Sequence, residues 1–229
     1  MSVTAILTAG GVGSRMKNNI PKQFLTVNEI PIIIYTLQKF QNNKSIDNII
    51  VACLEEWQPM LRAYSKEFNI SKLKKIVNGG ETGIESIRNA FSEADDGIIL
   101  IHDGNRPLVD DRTIDNNIET AKKVGATTTY VDIHDGIIRV DDELNIKDAS
   151  LDRSKIKMTQ TPHTFTHEVL TDVFSRIEDP SKYISLADAA AKFGNEVALV
   201  KGSEINFKIT TQNDLSMFES ITNTRFGNV

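Results

Sequence analysis

"VTAILTAGGVGSRMKNNIPKQFL", residues 3–25, is the stretch whose reading decides the fold. An apolar run from Val3 to Thr8 reads as a β-strand, and it gives way to Gly10, Gly11 and Gly13, then to Arg15, Lys17 and Lys22. A strand that ends in glycines lets backbone amides approach a bound anion, because no Cβ holds the anion away. Arg15 adds a planar fork for phosphate oxygens and Lys22 a compact charge, with Pro21 stiffening the chain just before it. A bland turn needs the glycines but not the cations, so the loop reads as a phosphate cradle. Two familiar cradles fail on spacing: the dinucleotide fingerprint needs glycine where Met16 stands, and the P-loop needs Gly-Lys followed by Ser or Thr.

The rest of the chain bounds that reading. At 229 residues it suits one domain with a sizeable core, and 40% apolar with 25% charged residues is ordinary for a soluble globular protein. The net charge of −5 gives no global attraction for nucleic acid or anionic membrane, so neither is an expected partner. No apolar run approaches the roughly 18 residues of a membrane span, and the N-terminus has no signal-peptide pattern, so the expected location is the cytoplasm. The single cysteine, Cys53, excludes an intrachain disulfide and sits in the apolar run "IIVACL" as a small buried thiol.

Short β-rich runs alternate with helical segments, the pattern of a mainly parallel sheet with crossover helices. Strands are predicted at Val3–Thr8, Asn48–Leu54, Lys74–Val77, Gly97–Ile101, Ala126–Val131 and Glu196–Val200. Helices are predicted at Pro31–Gln41, Glu81–Ala94, Asp110–Val124, Thr166–Ile177 and Ser185–Phe193. From Ile133 to Gln160 the alternation breaks into short runs separated by Asp and Asn, which reads as a β-arm of hairpins. With no repeat or Pro/Gly linker, residues 1–229 read as one domain carrying that arm at about 133–160.

The opening motif, together with "NGGETGIESIRNA" at 78–90, "HDGNRP" at 102–107, "RSKIKMTQTPHTF" at 153–165, "LADAA" at 186–190 and "INFKIT" at 205–210, resembles the cytidylyltransferases that act on polyol phosphates. That is the family of the 2-C-methyl-D-erythritol 4-phosphate and ribitol 5-phosphate enzymes. The resemblance implies a Rossmann-like α/β fold of the nucleotide-diphospho-sugar transferase type. It also implies transfer of CMP from CTP to a polyol phosphate with Mg2+, in a homodimer whose arm reaches the partner's active site.

By the same resemblance Arg15, Lys22, Arg153 and Lys208 are the catalytic cations, Arg153 acting across the subunit boundary. Ala9, Gly10, Gly11, Gly13, Gly79, Gly80, Ser86 and Gly104 would line the nucleotide pocket, and Asp103, Arg106, Gly136 and Thr161 the acceptor site. Asp103, at the end of the strand-like "IILIHD", is placed either to hold Mg2+, to anchor a hydroxyl, or simply to cap the turn with Arg106 paired to it. The reaction sets two anions against each other, so fixed cations and amides are the physical need. The four histidines are given no catalytic role.

The departures gather on the acceptor side. Methylerythritol-phosphate enzymes usually carry Thr-Arg where Thr82-Gly83 stands, Asp-Thr-Ile where Asp135-Gly136-Ile137 stands, and a small apolar residue at Asn105. Lost hydrogen bonds to hydroxyls discriminate substrates sharply, so the expected acceptor is another alditol phosphate, of the ribitol or glycerol type used in surface polymers. The alternatives are the isoprenoid-precursor enzyme itself and a non-catalytic nucleotide sensor.

Overall fold

The computed structural model describes residues 1–10, 20–148 and 151–226. In chain order the elements are β1 (Ser2–Ala9), β2 (Thr26–Val27), β3 (Ile30–Pro31), α1 (Ile32–Asn42), β4 (Asn48–Cys53), α2 (Gln58–Glu67), β5 (Leu73–Asn78), α3 (Gly83–Phe91) and β6 (Gly97–Asp103). They continue with α4 (Asp111–Val124), β7 (Ala126–Asp132), β8 (Arg139–Val140), β9 (Ile146–Asp148), β10 (Lys157–Thr166), α5 (His167–Arg176), α6 (Leu186–Lys192), β11 (Ala198–Lys201) and α7 (Gln212–Phe226). Side-chain caps set several helix starts. Asp110, Thr166 and Ser185 each accept a backbone N–H from the first turn of α4, α5 and α6.

A seven-stranded sheet runs β11-β7-β10-β6-β1-β4-β5, with β10 antiparallel to both neighbours and every other pairing parallel. The strands alternate their burial between two faces. Ala5, Leu7, Ile49, Val51, Ile98 and Leu100 pack with Leu37 and Phe40 of α1 and Ile114 of α4. Ile6, Ile50, Ala52, Ile99 and Ile101 pack with Ile84 of α3, Leu170 of α5 and Ala190 of α6. A third cluster, built on Ile32, Leu108, Ile209, Leu215 and Phe218, seats α7. Both sheet faces are therefore covered, as parallel strands require.

The topology creates the crevice. From β1 the chain passes outward to β4 and β5, then returns to β6 on the other side of β1, so the connections diverge between β1 and β6. Such a switch point opens at the carboxyl ends of the strands. Register places Thr8 beside Asp103, Ala9 beside Cys53, and Cys53 beside Asn78 on that edge.

Several elements differ from the sequence reading, among them the short β2–β3 pair, which it does not foresee. Residues 157–160 belong to β10, paired with β7, so the excursion is 133–156 and its described hairpin is only the short β8–β9 pair. The predicted arm runs too far because "KMTQTPHTF" carries Thr, Gln and His where an apolar run would mark a sheet strand; Gln160, Thr161, His163 and Thr164 are all buried. Helices α2 and α7 have no counterpart in the reading, since each buries only a narrow apolar stripe, Leu61 in one and Leu215 and Phe218 in the other.

Candidate active site

Gly10, Gly79 and Ser86 meet above the carboxyl edge of the sheet. A Cβ added to Gly10 would stand 3.7 Å from Ser86 Oγ, and one added to Gly79 would stand 3.5 Å from the same oxygen and 3.8 Å from Gly10 Cα. Helix α3 fixes that meeting. Thr82 Oγ1 accepts from Glu85 N at 3.1 Å while the Glu85 carboxylate accepts from Thr82 N at 2.9 Å, a reciprocal cap. Ser86 Oγ then accepts from Gly80 N at 2.9 Å and donates to Thr82 O at 2.9 Å. Gly80 has no room for a side chain, because a Cβ there would fall 2.3 Å from the Cβ of Glu85. Gly104 is equally packed, 2.6 Å from Ile33 Cδ1 on the same test, and its N–H donates to Thr8 O at 3.0 Å. Ala9 is fully buried at the end of β1.

A charged cluster lies across the crevice. Asp103 Oδ2 accepts from Arg106 Nε at 2.9 Å and Oδ1 from Lys208 Nζ at 2.9 Å, with 17% of the aspartate side chain exposed. Burial alone would push this carboxyl up, but Lys208 and Arg106 outweigh it and hold Asp103 well below the usual carboxylate range. Arg106 also donates through NH1 to Asn206 O at 2.8 Å. Asn206 is itself buried and donates through Nδ2 to Thr161 O at 2.9 Å and to Gln160 Oε1 at 3.2 Å. Asn105 ties the same segment down: its Nδ2 donates to Ile209 O at 2.5 Å and its carbonyl accepts from Ile209 N at 2.9 Å. The departure seen at Asn105 in the sequence is thus a clamp on the strand-like segment that carries Lys208.

The structure therefore brings together Asp103, Arg106, Thr161 and Lys208 on the wall of a cavity of about 450 Å3 that Thr82 and Gly83 also line, and separately packs Gly10, Gly79, Gly80 and Ser86 against one another. Gly11, Gly13 and Arg15 lie outside the described residues. Lys22 opens a short 3-10 turn anchored by Phe24, which is buried and stacks on Trp57 at 4.7 Å between ring centroids. Arg153 stands at the root of the excursion, where NH1 donates to His134 O at 2.5 Å; it lines a different cavity, with Asp132 and Lys157. Gly136 is exposed in the same excursion, with nothing within 4 Å of an added Cβ.

Both Asp103 oxygens are committed to cations, and among the described residues no group of three His, Cys, Asp or Glu side chains is placed to hold an ion. The donor set does not build a protein-held metal centre. Cys53 is buried at the end of β4, where burial first and Glu56 second push its thiol up to about 12, so it is no nucleophile.

The histidines carry more than the sequence suggested. His102 is fully buried beside Asp103, and His163 is 8% exposed on the cavity wall; burial lowers each to about 4, so both are neutral near pH 7. The available signal was a polar ring inside the apolar run "IILIHD".

The profile of the 2-C-methyl-D-erythritol 4-phosphate cytidylyltransferase family matches residues 3–224. Over 229 aligned residues the chain is 38% identical to a ribitol-5-phosphate cytidylyltransferase of Vibrio parahaemolyticus, covering 96% of each chain. It is 37% identical over 220 residues to a 2-C-methyl-D-erythritol 4-phosphate cytidylyltransferase of Clostridium novyi, covering 95% of each. The same fold is found in the crystal structure of 4-diphosphocytidyl-2C-methyl-D-erythritol synthase from Anaerococcus prevotii, with a TM-score of 0.84 at 22% identity, over 97% of this chain and 96% of that one.

Proposed function

This chain belongs to the 2-C-methyl-D-erythritol 4-phosphate cytidylyltransferase family, and from that premise we propose that it transfers CMP from CTP to ribitol 5-phosphate. The observation that carries the reading is one switch-point cavity lined by Asp103, Arg106 and Lys208 together with Thr82 and Gly83, the residues that follow the Gly79–Gly80 turn. A phosphate oxygen of the acceptor attacks the α-phosphorus of CTP; the new P–O bond forms as the bond to the β-phosphate breaks, and pyrophosphate leaves with the electron pair. Arg106 and Lys208 draw the acceptor phosphate in and offset its repulsion from the triphosphate, while Asp103 holds both cations in place. Lys22 and Arg15 serve the triphosphate. Mg2+, if required, would be brought by the nucleotide and would neutralise part of the triphosphate charge, since no described residue set is built to hold it.

The acceptor rests on two supports: the likeness to a ribitol-5-phosphate enzyme, and the empty space at Gly83 and Gly136. Nothing lies within 4 Å of an added Cβ at either glycine, so a side chain could leave the backbone there without strain, and the larger residues usual in methylerythritol-phosphate enzymes are absent. Their absence removes contacts with the acceptor and leaves the frame unaltered. A homodimer completes the reading. Arg153 does not line the cavity that Asp103 lines, and the excursion exposes Ile138, Leu144 and Ile146, at 50%, 80% and 62%, as apolar surface for a second copy.

The test is pyrophosphate release with CTP and Mg2+ across ribitol 5-phosphate, glycerol 3-phosphate and 2-C-methyl-D-erythritol 4-phosphate. Ribitol 5-phosphate is expected to give the highest kcat/KM. A clear preference for methylerythritol phosphate would overturn the acceptor assignment, and CTP binding without any release would overturn turnover itself.

A further inference from the structure

The turn from Asp103 to Arg106 carries one anion and one cation of the site, and its backbone is held by side chains that the proposed chemistry does not use. His102 Nε2 lies 3.0 Å from Arg106 O, and His102 Nδ1 lies 3.0 Å from Thr161 Oγ1. Thr161 Oγ1 in turn accepts from Asp103 N at 3.1 Å. The proton positions follow from the partners. A carbonyl only accepts, so Nε2 carries the hydrogen that points at Arg106 O, and in the neutral ring Nδ1 is left with a lone pair. That lone pair takes the Thr161 hydroxyl proton, which frees a hydroxyl lone pair for the Asp103 amide. One direction of donation runs from Asp103 N–H through Thr161 O–H to His102 Nδ1, and a second bond from the same ring reaches Arg106 O.

We propose that His102 is a positioning residue: with Thr161 it locks the backbone on both sides of the Asp103–Arg106 pair, and so fixes where the two side chains present their charges. The site suits this task. The ladder between β10 and β7 shifts register between Gln160 and His163, and Thr161 falls in that irregular stretch, able to reach across to β6. Its carbonyl is gripped by Asn206, whose own carbonyl holds Arg106 NH1. Thr161 therefore joins β6, β10 and the Lys208 segment at one atom group. His102 is fully buried and packs at 5.2 Å on the ring of Phe40, so its plane is fixed from the core side. A Thr161 hydroxyl occupied in this way is spent on the frame, and the residue acts on the acceptor through Asp103. Misplacing charges by a fraction of an ångström costs transition-state stabilisation more than ground-state binding.

This inference rests on the cytidylyl-transfer reading, and two measurements keep their failures apart. The first needs no turnover. In imidazole 15N–1H spectra of the unliganded protein at pH 7, His102 is expected as the neutral Nε2–H tautomer in the wild type; an Nδ1–H tautomer or an imidazolium would overturn the proposal. The second uses the CTP and ribitol 5-phosphate assay. Thr161→Val, which keeps the shape and removes the hydroxyl, is expected to lower kcat by about tenfold to a hundredfold with KM changed less than about twofold, and Thr161→Ser to restore it. His102→Phe with Thr161→Val is expected to cost no more than either alone, since both cut one chain. A kcat for Thr161→Val within about twofold of wild type, a raised acceptor KM at unchanged kcat, or multiplying losses would each overturn it. A wild type that releases no pyrophosphate sinks the functional reading while the spectra still decide the hydrogen-bond chain.

Discussion

Two aspartates among the described residues are each gripped by two cations, and they differ in how firmly those cations are held. Asp103 meets Arg106 and Lys208, both at 2.9 Å; Asp132 meets Lys157 at 2.6 Å and Lys201 at 2.9 Å. Both end a strand, β6 in one case and β7 in the other. The difference lies in what holds the cations. Arg106 is 12% exposed and tied through its guanidinium to Asn206, whereas Lys201 is 67% exposed on a sheet-edge strand. Similar distances thus give unequal preorganisation: the Arg106 charge, fixed in the crevice wall, acts on a transition state, and the Lys201 charge, on a long solvated stem, is screened.

The largest expected effect breaks that pairing directly. Lys208→Ala is expected to lower turnover by at least about 100-fold, the scale of losing one preorganised electrostatic stabiliser, and Lys22→Ala by a similar factor. Lys201→Ala is expected to leave kcat within about twofold, because Lys201 is 67% exposed and lines neither the Asp103 cavity nor the one beside Arg153. Steady-state kinetics with CTP saturating would check all three, and equal losses for Lys208 and Lys201 would erase the distinction between the clusters.

The pH dependence of stability sharpens the same contrast. His102 and His163 are buried, and burial lowers them from 6.5 to about 4. Between those values the unfolded chain binds protons that the folded one does not, so stability falls as pH drops from about 6.5 towards about 4. Each histidine contributes a slope of about 1.4 kcal/mol per pH unit at most. Asp103 has the opposite origin: its folded value is depressed, so its contribution is complete above 3.8 and is lost only as the pH falls further. Urea melts across this range should show His163→Gln flattening the slope by up to half. An unchanged slope would mean that the cavity wall already admits the charged ring.

Glycine substitutions extend the comparison from charge to space. Gly80→Ala must push on Glu85, whose Cβ and backbone carbon lie 2.3 and 3.0 Å from the added atom, and a loss of about 1–3 kcal/mol is expected. Gly136→Ala, in the excursion with nothing within 4 Å, is expected to change stability by less than about 0.5 kcal/mol. Thermal melts of the pair would test whether the crevice is rigid where the excursion is open.

How much of this was legible in the sequence follows the same divide. The β-branched runs at β1, β4, β6 and β7 end within two residues of where they were predicted, because β-branched residues buried on both sheet faces mark a central strand along its whole length. The caps at Asp110, Thr166 and Ser185 stand at the first residues of the predicted helices. Strand β10 was hidden because its inner side chains are polar and are satisfied by tertiary partners: His163 by Thr128, Thr161 by His102, and Gln160 by Ser203. No local pattern announces a polar core. The site residues Asp103, Arg106, Thr161 and Lys208 are 105 positions apart at the extremes, and only motif resemblance linked them. Asn105 looked like a change in acceptor contacts and is a clamp on Ile209, a role visible only once the two segments are folded together.

The smallest expected effect is the most demanding for the comparison. Asp132 is held down to about 2 by hydrogen bonds from Lys157 and then Lys201, so on pairing alone it resembles Asp103. If pairing were what made a site rigid, Asp132→Asn would be as costly as Asp103→Asn. Lys201 remains hydrated at 67% exposure, however, and an amide still accepts a hydrogen bond from Lys157. Asp132→Asn is therefore expected to move Tm by less than about 2 °C and to do so only at low salt, with the difference gone near 1 M NaCl, where the screening length is about 3 Å. Asp103→Asn is expected to lower Tm at every salt concentration, since Arg106 and Lys208 would then face each other across a crevice with no anion between them. A salt-independent loss for Asp132→Asn would place the arm root in the rigid frame, and the reach of Arg153 would have to be built from a fixed excursion instead of a solvated one.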